Sequence, residues 1–178
     1  SVALDPKHRP QTLDSPATTV RKEWGRWPQE AHLLDRPNNR YRRLSAKEVA
    51  AIQGFDTTWL DELDLSTREA IELIGNAVPP PLARAIFEGI DDVYEWENST
   101  FLEICAGIGG LTEGARHIGL DCLALVERWS IACEALHTRE ADMKDAVCCD
   151  DVLEFDLEKY RGQVGLLTGG PPCQPWSH

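Results

Sequence analysis

From Thr100 to Gly170 the chain alternates short apolar runs with helix-length segments, and this constrains its fold more than any other feature. "FLEICAG", "CLALVE", "DAVCCDD" and "VGLLTGG" read as strands, and "GLTEGARHIG" and "SIACEALHTRE" read as the helices between them. Strands separated by helices of this length build βαβ units, and so a mostly parallel sheet flanked by helices. Right-handed crossovers then gather the C-terminal ends of the strands on one edge, where ligands bind. The expected fold class is α/β.

The preceding stretch is organised differently. Residues 1–40 are rich in proline, arginine and tryptophan without a sustained period, so they read as loop and short strand. "SAKEVAAIQGF" is a helix with Ser45 as N-cap, Glu48 completing a capping box, Val49 and Ile52 on one face and Gly54 as the stop. "STREAIELIG" repeats the signal, with Ser66 as cap, Glu69 at the box position and Gly75 as terminator. After "NAVPPP" a third helix, "LARAIFEGI", starts behind a proline, where a missing N–H costs nothing. "DDVYEWENST" then forms an acidic connector.

Charge and cysteine content narrow the function classes. The net charge is −12, but it is uneven. Through Arg43 there are nine Lys/Arg against five Asp/Glu, and from Leu44 onward nine against 25. That asymmetry fits either a basic edge that meets phosphates or an exposed, solvated segment. No apolar run reaches membrane-spanning length and no signal-peptide pattern opens the chain. The six cysteines form neither a C-x-x-C pair nor a zinc spacing, so no metal is expected. An intracellular, reducing compartment is expected, cytoplasmic in a prokaryote or nuclear in a eukaryote.

The sheet edge holds the candidate chemistry. The first strand runs into Cys105-Ala106-Gly107-Ile108-Gly109-Gly110, where glycines allow a tight turn and close approach of a ligand. The second strand ends at Glu127, about twenty positions on, which suits the hydroxyls of a ribose or is an ordinary solvated strand end. Beyond Arg128, the ring of Trp129 covers an adenine or packs half-buried. Asp151, beside Val152 at the third strand end, accepts from an adenine amino group or caps a helix. With no full G-x-G-x-x-G, the set fits an adenosine-containing cofactor without a pyrophosphate. After the fourth strand, Pro171 and Pro172 precede Cys173, and Pro175 follows Gln174. Prolines limit loop freedom and so position a thiol. Cys105, Cys122, Cys133, Cys148 and Cys149 read as small buried apolar residues.

"FLEICAGIGGLTEGARHIGL" and "GGPPCQPWS" together resemble the DNA (cytosine-5) methyltransferase family, the first its cofactor-binding glycine motif and the second its catalytic Pro-Cys-Gln motif. The resemblance implies a Rossmann-like S-adenosylmethionine-dependent methyltransferase fold. It implies S-adenosylmethionine as methyl donor, S-adenosylhomocysteine as product and double-stranded DNA as partner. Cys173 would attack carbon 6 of a cytosine flipped out of the duplex. "RRLSAKEVAAIQGF", with Arg42 and Arg43, is similar to the family's penultimate motif, which supports target recognition. "IGNAVPPPLARAI" is similar to its last motif, whose Asn76 and Val78 would border the cofactor, and "LDSPATTV" to the segment leading into these. Gln174 and Ser177 would lie on the DNA side of the catalytic loop.

The motifs that normally come last here come first, which points to a circular permutation, with a tandem of two enzymes cut in the middle as the alternative. Residues 1–58 would border the missing target-recognition region, and residues 59–178 would form part of the catalytic domain. The family's Glu-Asn-Val motif, its Gln-x-Arg-x-Arg motif and the variable recognition segment are absent. Glu97-Asn98-Ser99 is no substitute, since it lies in a connector. Cys105 stands where the family has an aromatic residue. The expectation is therefore an incomplete methyltransferase, about half the machinery, that needs a complementary polypeptide or chain segment and is inactive alone. A non-catalytic cofactor-binding subunit and an RNA cytosine-5 methyltransferase are the alternatives.

Overall fold

The computed structural model describes residues 16–24, 32–35 and 40–172. Cys173, Gln174 and Ser177 lie outside the described residues. The chain divides by packing into two units, residues 1–76 and 77–178. The division expected at residue 58 is one of motifs, and it stays an expectation.

In the first unit, β1 (His32–Asp35) pairs antiparallel with β2 (Arg40–Arg43). Helix α1 (Ala46–Gln53) starts at the Ser45 cap with both halves of the capping box in place, and it stops at Gly54 in the left-handed conformation (φ +86°). Val49 and Ala50 are buried; Ile52, expected on the buried face, is 41% exposed. The buried pair is Val49 and Ala50, about 100° apart around the helix, so the buried face is turned toward Ala50 and Ile52 falls outside it. Helix α2 (Thr67–Asn76) runs through Gly75. The expectation that Gly75 terminates it is wrong. A Cβ there would lie 2.2 Å from the Arg21 carbonyl carbon, so this glycine serves close backbone approach rather than a stop. Trp24, Leu44, Phe55, Trp59, Leu73 and Ile74 are among the buried residues of this unit.

The second unit contains the expected parallel sheet. Its strands are β3 (Thr100–Ile104), β4 (Asp121–Glu127), β5 (Val147–Cys149) and β6 (Leu166–Gly169). Their order is β5-β4-β3-β6, with every pair parallel. Helices α3 (Pro80–Asp91), α4 (Gly110–His117) and α5 (Ser130–Arg139) complete it. Phe87 of α3, Ala115 of α4 and Leu136 of α5 share a core with Phe101, Leu125 and Val147 of the sheet. The other face of the sheet offers Leu102, Ala124 and Val126, covered by Val152, Phe155, Tyr160 and Val164. Alternate strand residues thus serve opposite faces.

Helix α3 lies tightly on α4. A Cβ on Gly114 would come within 2.4 Å of the Phe87 ring, and one on Gly110 within 2.0 Å of the Val78 carbonyl oxygen. Arg84 reaches Glu113 at 2.8 Å and His117 meets Glu88 at 2.6 Å across the same contact. The connector after α3 returns to the sheet, where the Thr100 hydroxyl donates to the Gln163 carbonyl at 2.5 Å. No helix among the described residues is long and apolar enough to cross a membrane.

Candidate cofactor site at the strand ends

The turn after β3 is built by backbone conformations that few side chains tolerate. Cys105 (φ +52°), Gly107 (φ +57°) and Gly109 (φ +78°) are all left-handed. Cys105 carries the strain of a non-glycine there. Its thiol is pushed up by partial burial and by the Glu127 charge. Ala106 and Ile108 are buried and face the core, so they shape the turn from beneath. Gly109 is closely covered, with Leu136 and Arg139 within 3.2 Å of where its Cβ would be. Gly107 is the open position, since a Cβ there meets nothing within 4 Å.

Glu127 ties this turn to the end of β4. Its Oε2 accepts the Gly107 N–H at 2.8 Å, and its Oε1 accepts the Trp129 N–H at 2.8 Å. Trp129 is half-buried and immediately precedes α5. One residue earlier, Arg128 donates to Asp151 Oδ2 at 3.0 Å, so the ends of β4 and β5 are joined as well. Asp151 Oδ1 accepts the Leu153 N–H at 3.0 Å and so holds the turn over residues 152–154; no helix starts there, so the helix-cap alternative does not apply. The Leu153 N–H first, and Arg128 next, hold the Asp151 carboxyl below the usual carboxylate range. Val152 is half-buried against the Leu102 face of the sheet. Pro171 is exposed just beyond β6, whose extension continues in the Gly170 N–H to Ile104 carbonyl bond of 3.3 Å.

The structure therefore brings the glycine turn, Glu127, Arg128, Trp129 and Asp151 to one edge of the sheet. Val78 packs at the first turn of α4, against Gly110. Asn76 closes α2 in the first unit. Arg42 is held by Glu48 through two bonds of 2.7 and 2.6 Å, and Arg43 is exposed. Arg42 holds the Glu48 carboxyl at about 2, well below its ordinary value. Among the cysteines, Cys133 is buried and Cys105, Cys122 and Cys148 half-buried. Cys149 is exposed, a correction to its reading as a buried residue, because it sits at the open end of β5.

Sequence reasoning missed a buried polar layer beneath the turn. The Arg139 guanidinium donates to the Ile108 carbonyl and to Glu113. Arg116 donates to Glu140 Oε2 at 2.8 Å. Glu103, 1% exposed in mid-strand, accepts from the Thr112 hydroxyl at 2.6 Å. Burial pushes the Glu103 carboxyl up to about 8, against the bond from Thr112. The Glu140 carboxyl is also raised, burial outweighing Arg139 and Arg116. The available signal was Glu103 itself, a carboxylate inside the apolar run "FLEIC".

A family model described as "C-5 cytosine-specific DNA methylase" matches residues 7–92 and 99–178. Among curated proteins, the chain is similar to the type II methyltransferase M.NgoMIV of Neisseria gonorrhoeae, 42% identical over 78 residues, which are 44% of this chain and 24% of that protein. The type II methyltransferase M.PspPI of Psychrobacter sp. is 37% identical over 79 residues, 44% of this chain and 18% of that protein. M.Eco47II of Escherichia coli, also a type II methyltransferase, is 38% identical over 79 residues with the same coverage. The matched stretches thus span less than a quarter of each relative.

Proposed function

The chain belongs to the C-5 cytosine-specific DNA methylases, and from that premise we propose that it serves methyl transfer from S-adenosylmethionine to carbon 5 of cytosine in DNA. The observation that carries the reading is Glu127, a strand-end carboxylate bonded to the backbone of a glycine turn whose Gly107 position is open.

The residues present fit the cofactor. Two backbone N–H groups occupy the Glu127 carboxylate, and a carboxylate has about four acceptor sites, so a ribose can still be held. Gly107 leaves room where a side chain would block the ligand. Trp129 and Asp151 would take the adenine, and Gly107 the methionine end. The role of Asn76 rests on its place in the family motif. When bound, S-adenosylmethionine supplies an electrophilic methyl group. Asp151, already held by Arg128, is fixed for that contact without further ordering.

Cys173 is the proposed nucleophile. Its sulfur adds to carbon 6 of a flipped-out cytosine, which makes carbon 5 nucleophilic. After methylation, loss of the carbon 5 proton expels the sulfur and restores the thiol. Cys173 follows β6 in sequence, and residues 170–172 leave that strand at the same sheet edge as the glycine turn.

The motif order supports a circular permutation. The last-motif helix α3 packs on the first-motif helix α4, which is what a short connector between them requires. A complementary polypeptide would bring the Glu-Asn-Val, Gln-x-Arg-x-Arg and recognition parts. β6 forms an edge of the sheet among the described residues, with Leu167 60% exposed and the Thr168 hydroxyl buried without a partner. A further strand there would extend the sheet and pack beside Leu167.

A duplex with fluorine at carbon 5 of the target cytosine tests the chemistry, because fluorine blocks the final elimination. The reconstituted enzyme is expected to form a covalent complex that Cys173→Ser abolishes while S-adenosylmethionine binding persists. Trapping by the Cys173→Ser enzyme would assign the nucleophile elsewhere.

A further inference from the structure

The methyl-transfer reading uses neither Cys133 nor Cys149, yet the fold brings both to Glu127. Cys133 lies on α5, and its thiol donates to the Glu127 carbonyl at 3.1 Å. Cys149 ends β5 and is the register partner of Glu127. Both cysteines are thus anchored on the same residue, one from a helix and one from a strand.

Strand parity explains the pairing. Residues two apart on a strand share a face. Cys149 therefore shares the face of Val147, which packs in the core that includes Leu136 of α5. Cys133 lies three residues before Leu136, one helical turn away on the same side of α5. Cys148 faces the opposite side of the sheet, against Leu102, Ala124 and Val126. Access is asymmetric, with Cys149 exposed and Cys133 at 3%.

We propose that Cys133 and Cys149 are a modification site, a dithiol that a peroxide-class oxidant closes into a disulfide between α5 and β5. The exposed Cys149 sulfur attacks the peroxide first. The O–O bond breaks, one oxygen stays on sulfur as a sulfenic acid and the other leaves as water. The Cys133 sulfur then attacks the Cys149 sulfur. The S–O bond breaks, the S–S bond forms, and the Cys133 proton leaves with the hydroxyl as a second water. Two thiols are oxidised and one peroxide is reduced to two waters. Burial, and then the neighbouring Cys149, push the Cys133 thiol up to about 12, so it awaits the activated sulfur rather than meeting oxidant itself.

The disulfide removes the S–H that Glu127's carbonyl accepts, directly behind the carboxylate that holds Gly107. Oxidation should therefore weaken S-adenosylmethionine binding. This consequence rests on the cofactor reading above, whereas the disulfide does not.

The reduced chain would be treated with hydrogen peroxide, and its intact mass and non-reduced peptide map recorded. The expected result is a loss of about 2 Da, for two hydrogens, with a Cys133–Cys149 linked peptide that dithiothreitol releases. Cys133→Ala should instead accumulate sulfenic acid on Cys149, captured by dimedone, and Cys149→Ala should give no link at all. A Cys148–Cys149 link, or over-oxidation of Cys149 without any link in a chain whose circular dichroism is native, would overturn the proposal. Calorimetry with S-adenosylmethionine on both forms separates the consequence. Roughly tenfold or greater loss on oxidation supports it, and equal affinity of both forms overturns it while the disulfide stands. A reduced chain that binds no cofactor counts against the cofactor reading, not against the peptide map.

Discussion

Glu127 stabilises two backbone N–H groups at once, and both belong to segments that would enclose a ligand. Glu127→Ala would leave the Gly107 and Trp129 donors without their charged acceptor and would take away the proposed ribose contact. A hydrogen bond to a charged group contributes about 1.5–3 kcal/mol, so S-adenosylmethionine affinity should fall roughly ten- to hundredfold by titration calorimetry. Unchanged affinity would remove Glu127 from the pocket. Glu103 makes a different prediction. Its carboxyl is raised from 4.5 to about 8, so the folded chain holds a proton that the unfolded chain releases in this window. The stability that this proton confers is fully present below about pH 4.5 and is lost as pH rises through about 8. Denaturant titrations of wild type and Glu103→Gln should diverge over that window, with the variant gaining relative stability as pH rises. A constant difference across the window would mean that Glu103 is ionised in the fold. Of these two residues Glu127 was read from the sequence, because its spacing from the glycines is a one-dimensional signal, whereas Glu103 left only its place inside an apolar run. The burial of Glu103 depends on Thr112 and on α5, contacts that no local pattern encodes.

At the scale of elements, glycine distinguishes what the sequence carries from what packing decides. Gly54 stops α1 in the left-handed conformation, as its position after a capped helix implies. Gly75 gives the same local signal, yet it sits inside α2 against the backbone of Arg21 and Lys22. The chain reads alike at both sites, and only the tertiary neighbour differs. Capping boxes, strand alternation and the parallel sheet were legible because each is set by residues a few positions apart. The exposure of Ile52 and Cys149 was not, since it depends on which neighbour covers them. The α3–α4 contact yields a paired prediction. Gly110→Ala drives a Cβ to 2.0 Å from the Val78 carbonyl oxygen, so α3 and the Val78 segment must shift. Overpacking of this kind costs about 1–3 kcal/mol. Gly89→Ala, on α3, meets nothing within 4 Å and should stabilise by about 0.5–1 kcal/mol through helix propensity. Thermal unfolding of the two variants should therefore move in opposite directions. A Gly110→Ala chain as stable as wild type would show that Val78 does not hold the start of α4.

For the whole molecule, the question is whether the proposed cofactor site and the proposed nucleophile Cys173 suffice for turnover. The chain contains the glycine turn, the strand-end acids and Cys173, but the family's cytosine-contacting Glu-Asn-Val motif and its recognition segment have no counterpart in the sequence. Flipping a base out of duplex DNA costs a few kcal/mol of unstacking and unpairing, and groups that read the extruded base must offset it. The charge distribution points the same way. From Leu44 onward 25 acidic residues face nine basic ones, so this part of the chain supplies little attraction for phosphates. The 178 residues alone are thus expected to bind S-adenosylmethionine and to leave duplex DNA unmethylated in a tritiated-methyl transfer assay. Adding a polypeptide that carries the missing motifs should restore transfer, and should do so with wild type but not with Cys173→Ser. Methylation by the purified chain alone, abolished in Cys173→Ser to exclude a contaminant, would show that this half of the motifs both flips and modifies its base, and the proposed division of labour would fall.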